Sequence, residues 1–222
     1  MPTFIDYGIP KIKRIDGRPE GRLYETPSGN LYPSVTTVVG SIGDKSYLDE
    51  WRAKVGHDVA DKITKDAANR GTLLHDRCER FLLGQPVKFD IFQHIEKEMF
   101  SYFLPVLKSI EEIHAMETTL WSDKLKVAGT VDLIAKENGV LKVFDWKNSR
   151  RFKSREDIPG YFAQMAAYAY LFWERTGVAI RFIKVVIAVE DYGLVVYEEE
   201  VKDHLPVFVE ARRHFESIHH GN

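Results

Sequence analysis

The sequence holds a single cysteine, Cys78, among 222 residues. That excludes an intramolecular disulfide and any zinc knuckle or cluster ligated by several cysteines of one chain, and it fits a reducing compartment. Net charge is nearly absent: 31 Lys and Arg stand against 33 Asp and Glu, a formal balance of -2. No global basic field therefore advertises a polyanionic partner, and any such contact must be local. No apolar run approaches the roughly 20 residues that span a bilayer, and the opening MPTFIDYGIPKIKR carries no signal-peptide hydrophobic stretch. The expectation is a soluble, cytoplasmic protein with no membrane partner. Internal repeats, low-complexity tracts and a Gly- or Pro-rich linker are missing as well.

What is present is enough apolar material, 44% hydrophobic and 12% aromatic, to bury one substantial core and rather little for two. Residues 1–222 therefore read as one domain: a hairpin and capping region over 1–45, a helical region over 46–116, and a sheet with helices over 117–222. RLYETPSGNLYP reads as a hairpin around Ser28 and Gly29, and Ser34 as the cap of a short helix in SVTTVVGSI. Helical patterns follow at 47–55, 57–83 and 89–113. Alternation then marks strands at 117–121, 127–136 and 140–148. A helix over 158–175, a strand pair at 180–189 and 194–201, and a last helix over 204–218 complete an α/β fold with a helical N-terminal half.

Asn138-Gly139 is the strongest short-range signal for a two-residue type I′ turn. That turn sets the strand register, so Glu137 faces Val140 and, further along, Asp132 faces Asp145. Opposed side chains have Cβ atoms about 4.5–5.5 Å apart, and like charges there destabilise a sheet. The same register puts Lys147 opposite Thr130 and on the face of Asp145. A divalent cation shared by the carboxylates removes the repulsion, and oxygen ligands suit Mg²⁺ or Mn²⁺. The alternative is that one aspartate is simply the ion-pair partner of Lys147. Against it, both aspartates sit in apolar, β-branched runs, VAGTVDLIA and VLKVFDWKN, where an unpaired charge is costly.

Other polar residues stand in apolar settings. Gln164 is the one strongly polar side chain of YFAQMAAYAYLFW, with Tyr168 a turn later on the same face; it reads as a core amide or as a group that orients Lys147 or a phosphate. His75 shares a helix face with Glu79, and reads as a satisfied histidine or a metal ligand. KNSRRFKSR, with Ser149, Arg150 and Arg151, reads as a solvated basic loop or as a phosphate-holding one, with Trp146 and Phe152 available to stack on bases.

Taken in order, these segments resemble a known family. GTVDLI followed by FDWKNS resembles the paired acidic motifs of the PD-(D/E)XK nucleases. QMAAY is similar to the Gln-x-x-x-Tyr helix motif, and GTLLHDRCE to the helical histidine motif, of their RecB-like branch. YPSVTTVV, DWKNS and the QMAAY helix together resemble those of phage exonucleases and mitochondrial genome maintenance exonucleases, and the whole likeness runs over 32–168. The resemblance implies a restriction-endonuclease-like central mixed sheet flanked by helices. It implies that His75, Asp132, Asp145 and the main-chain carbonyl of Trp146 hold Mg²⁺ or Mn²⁺, and that Lys147 positions or activates the attacking water. Gln164 and Tyr168 would support the site and substrate, with Ser34, Ser149, Arg150 and Arg151 as further substrate contacts. An iron-sulfur cluster, present in some members of the branch, needs four cysteines that this chain lacks.

The implied activity is metal-dependent hydrolysis of DNA from single-stranded ends. The rival readings are a structure-selective flap endonuclease and a non-catalytic nucleic-acid-binding module. No G-x-x-x-x-G-K-[ST] loop is present. Any unwinding would therefore fall to a helicase or to a replication or recombination partner.

Overall fold

The computed structural model describes residues 1–19, 21–42 and 46–219, without the side chains of 46–48. In chain order the elements are β1 (Thr3–Phe4), β2 (Lys13–Arg18), β3 (Gly21–Glu25), β4 (Leu31–Pro33), α1 (Val35–Val39), α2 (Ser46–Val55), α3 (His57–Leu82), α4 (His94–Lys108), β5 (Ile110–Ser122), β6 (Val127–Glu137), β7 (Val140–Ser149), α5 (Pro159–Thr176), β8 (Phe182–Val189), β9 (Gly193–Glu200) and α6 (Val201–His219). None of the described helices is long and apolar enough to cross a membrane.

The large sheet has the order β1-β5-β6-β7-β8-β9. β5, β6 and β7 form an antiparallel meander, while β7 and β8 run parallel, as a strand–helix–strand unit built on α5 requires. The mixed α/β sheet flanked by helices is the architecture expected from the sequence. Asn138 and Gly139 both have positive φ, 52° and 72°, so the β6–β7 connection is the type I′ turn expected. α5 starts with Pro159 in its first turn and ends at Gly177, which takes the left-handed conformation at φ 75°, the residue types these positions favour.

Two cores sandwich the sheet. On one face Val131, Ile134, Val143, Val185 and Ile187 pack with α5 and α6; on the other Leu133, Ala135, Phe144, Trp146 and Val186 pack with α3 and α4. Strict alternation would put Val131, Leu133 and Ala135 on one face. It fails across Asp132, and the strand changes its packing at that residue.

Two sequence expectations need correction. The helix expected over 89–113 occupies only His94–Lys108, and 110–113 instead begin β5. The three-residue spacing of Ile110 and Ile113 suits a helix face, but pairing with β6 at Glu137 and Ala135 overrides it. The hairpin expected alone over 22–33 is also joined by β2, making a three-stranded sheet, β2-β3-β4.

At the turn end of β6, buried Glu137 accepts from Lys142 at 2.9 Å, from Lys184 at 2.5 and 2.7 Å and from Ser109 Oγ at 2.9 Å. Burial pushes its carboxyl up, but the hydrogen bonds from Lys184 and Lys142 outweigh it and hold the group below its ordinary 4.5. A depressed carboxylate stabilises the fold above its unfolded value, and that contribution disappears as pH falls through the lower, folded one. Glu137→Gln is therefore expected to cost about 3 kcal/mol at neutral pH, the range for breaking a buried pair. The penalty should shrink below pH 4.5, as urea denaturation across pH would show. A penalty constant down to pH 2 would contradict this account.

Candidate active site

The β6–β7 ladder runs from Glu137↔Val140 to Leu133↔Phe144 and stops. The next residues in that register are Asp132 and Asp145, as the turn implied, but the strands part there. The Asp132 carboxylate enters the gap, its Oδ2 accepting the Trp146 amide at 3.1 Å. Thr130, expected opposite Lys147, instead bonds the Tyr24 hydroxyl at 3.2 Å.

Asp145 is 2% exposed. Its Oδ1 accepts from Lys147 Nζ at 2.6 Å and lies 3.5 Å from Gln164 Nε2. Oδ2 lies 2.5 Å from the same ammonium but off the angle a hydrogen bond requires, so this buried oxygen has no hydrogen-bond partner. Burial pushes the Asp145 carboxyl up to about 6, with Lys147 opposing and Asp132 adding to the rise. Burial alone would lower the Lys147 ammonium, but Asp145 and Asp132 hold it above its ordinary value. Lys147 also sits over the Tyr161 ring, 5.1 Å from its centroid, and is thus a fixed positive charge.

His75 reaches this point from α3, whose Leu74, Cys78 and Leu82 repeat every four residues and pack into the core. Gly71, one turn before His75, lets the helix approach β7, since a Cβ there would stand 3.1 Å from Asn148 Oδ1. His75 Nε2 lies 2.7 Å from the Trp146 carbonyl, so this nitrogen donates. Nδ1 faces Asp132 Oδ2 at 3.5 Å and Glu117 Oε1 at 3.9 Å. Burial lowers the imidazole, yet Asp132 and Glu117 overcome it and raise it to about 9.

Glu117 has no role in the sequence reading. It lies in β5 between Met116↔Leu133 and Thr118↔Val131, hence beside Asp132, with φ +46°. A non-glycine residue in this region costs roughly 1–2 kcal/mol and turns its side chain out of the strand pattern. Its one mark in the sequence is an acid at the head of the β-prone run ETTLW.

His75, Glu117 and Asp132 each offer a ligand atom, all within 4.8 Å of one another. Two hard carboxylates and one borderline imidazole form a donor set that fits a small divalent cation, and Asp145 Oδ2, ion-paired with Lys147 but not hydrogen-bonded, is nearby. Asp145, expected among the ligands, falls outside that spacing.

The remaining residues are placed as follows. Tyr168 is buried against Gly129, where a Cβ would stand 2.8 Å from its hydroxyl; burial, then Asp132, pushes its phenol well up. Ser34 caps α1 by accepting from the Thr37 amide at 2.9 Å, and is itself buried. Ser149 Oγ donates to the Arg151 carbonyl at 2.6 Å, and Arg150 stands 3.9 Å from Glu190. Exposed Phe152 and Tyr192 pair at 5.5 Å. Trp146 cannot stack on bases as expected, because it is buried between Phe103 and Phe144.

Comparison with known proteins places this geometry in context. A family model for the PD-(D/E)XK nuclease superfamily matches residues 46–216. Among curated proteins, human mitochondrial genome maintenance exonuclease 1 is 26% identical over 132 residues, covering 56% of this chain and 38% of that protein. The mouse protein is 25% identical over 131 residues, 56% of this chain and 39% of its own length. The chain therefore matches well under half the length of these relatives. Among solved structures, the crystal structure of SSO0001 superposes with a TM-score of 0.45 at 16% identity, over 84% of this chain and 75% of that one.

Proposed function

This chain belongs to the PD-(D/E)XK nuclease superfamily, and from that premise we propose that it is a Mg²⁺- or Mn²⁺-dependent exonuclease that hydrolyses DNA from single-stranded ends. The observation that carries the reading is the cluster of His75, Glu117 and Asp132 within 4.8 Å, set beside the ion pair of Lys147 with buried Asp145. We place the chain in the RecB-like branch on its helical His75 and on Gln164 and Tyr168.

In this reading Asp132, Glu117 and His75 hold the cation through carboxylate oxygens and an imidazole nitrogen, with Asp145 Oδ2 and the Trp146 carbonyl at hand. When bound, the ion polarises a phosphoryl oxygen and acidifies water. Lys147, kept charged by Asp145, offsets the negative charge that develops at phosphorus. Gln164 orients the Asp145 carboxylate, and Tyr168, wedged against Gly129, fixes the spacing of α5 from β6. Ser149, Arg150 and Arg151 continue from the β7 end that carries Lys147, and offer backbone-directed phosphate contacts that read no base. A separate helicase or replication or recombination partner would open duplex substrate.

End-labelled linear single-stranded and duplex DNA, with internally labelled single-stranded circles, incubated with Mg²⁺, Mn²⁺ or EDTA, tests the proposal. Linear single strands should be shortened from their ends in either metal, circles should survive, and EDTA should stop the reaction. Cleaved circles would replace the exonuclease by an endonuclease. Binding without cleavage in every metal would leave only a nucleic-acid-binding module.

A further inference from the structure

A cavity of about 1030 Å³ forms a cleft between two unlike walls. One wall is α3 and β5, with His75, Asp76, Glu79 and Glu117. The other belongs to the small β2–β3–β4 sheet and its approach, with Lys11, Lys13, Arg14 and Arg22. This sheet precedes the stretch matched by the superfamily, which begins at residue 46, so the matched family segment does not supply the basic wall.

The charges facing each other across the cleft do not neutralise one another. Among the described residues Arg14 and Arg22 share one carboxylate, Asp16, at 2.8 and 3.2 Å, and Lys13 has only Glu25 at 3.9 Å. On the opposite wall Asp76 pairs with Arg77 and Arg80 of its own helix. Among the described residues no ion pair joins the two walls. Two guanidiniums on one carboxylate leave positive charge and several N–H donors unspent. In a chain of formal charge -2, such a cluster does not follow from a basic composition.

The wall is also fixed in place. Tyr24, almost fully buried, bonds Thr130 at 3.2 Å, Thr119 Oγ1 accepts the Ile12 amide at 3.2 Å, and the Tyr32 hydroxyl bonds Asp123 at 3.0 Å. These ties hold the small sheet on β5 and β6, the strands that carry Glu117 and Asp132. A wall whose backbone is already in place loses less entropy on meeting a ligand than a mobile segment would. Four cations spread along one wall suit the successive phosphates of a nucleic-acid backbone, which a nucleoside monophosphate does not offer.

We propose that Lys11, Lys13, Arg14 and Arg22 form a phosphate-gripping wall that holds one DNA strand in the cleft against His75 and Glu117. The inference rests on the nuclease reading and adds to it where the strand runs and what holds it.

The test is binding of a fluorescent oligothymidylate in EDTA over a range of salt, for the wild type and for the triple variant Lys13→Gln, Arg14→Gln, Arg22→Gln. All three side chains are solvent-accessible, so the melting temperature should hold. Affinity should fall on the order of 10-fold or more, and the slope of log K against log salt should drop by about 2, since each lost phosphate contact removes about 0.7. Arg14→Lys with Arg22→Lys, which keeps the charge, should retain most of the slope. Should the triple variant prove unfolded, Lys13→Gln alone should still lower the slope by about 0.7. A triple variant that binds with wild-type affinity and slope overturns the wall, and if the wild type still cleaves linear single strands the nuclease reading survives. A wild type that neither binds nor cleaves DNA overturns both.

Discussion

Asp145→Asn is expected to reduce cleavage on the order of 10³-fold or more in either Mg²⁺ or Mn²⁺, because it removes charge at the point where the site's groups act as a unit. The substitution is nearly isosteric and leaves an amide beside Gln164, so the packing of β7 against α5 should persist. What disappears is the carboxylate that holds the Lys147 ammonium at 2.5 Å and the oxygen that has no hydrogen-bond partner. Lys147 retains some solvent access and the Tyr161 ring. The cost to stability should therefore be about 1–2 kcal/mol, below the 3–5 of a fully buried broken pair. The complementary change, Lys147→Gln, acts from the other side. Without its cation the Asp145 carboxyl, already raised to about 6 by burial, is pushed up further, so one substitution removes the ammonium and weakens the neighbouring negative charge. Single-turnover cleavage with urea denaturation of each variant separates the two effects. Full activity in either variant would remove the pair from the mechanism.

The parts of the fold legible in the sequence were those fixed by local chemistry. Asn138-Gly139 determined a turn, the turn determined a register, and the register brought Asp132 and Asp145 to the same level of the sheet. The buried α5 was legible because an unbroken apolar helix with one amide leaves few other readings. The register argument did not reveal that the ladder ends at Leu133↔Phe144. The separation of the strands depends on the Asp132 carboxylate taking the Trp146 amide, a competition between side chain and ladder that no periodicity encodes.

Glu117 was illegible for a related reason. Its position depends on register shifts of β5 on β6 between Ile110 and Glu112 and between Ile113 and Ala115, and on a left-handed backbone at a residue type that rarely adopts it. The basic wall was illegible because it is long-range: Tyr24 meets Thr130 across 106 positions. Sequence adjacency to Lys147 drew attention to Ser149, Arg150 and Arg151 instead, none of which lines the cleft beside His75.

Glu117 then yields an expected result with two opposed signs. As a member of the cluster with His75 and Asp132, it should be required for holding the cation. Glu117→Gln should weaken metal binding and cleavage by at least about 10–100-fold, the cost reported for groups one step further from a metal. The metal-induced rise in melting temperature should shrink with it. As a residue held at φ +46°, Glu117 should at the same time weaken the fold. Glu117→Gly relieves roughly 1–2 kcal/mol of left-handed backbone cost and gives back about 0.5–1 through glycine's greater freedom in the unfolded chain. The net change should run from neutral to a gain of about 1.5 kcal/mol, helped by removing one carboxylate from beside Asp132. Denaturation in EDTA compares the three proteins without the ion. A glycine variant that loses stability as an ordinary strand glycine does would show that the backbone there is not strained. A glutamine variant with an undiminished metal-induced shift and full cleavage would take Glu117 out of the cation site. Activity lost together with stability held or gained is the result expected of a strand bent to carry a ligand.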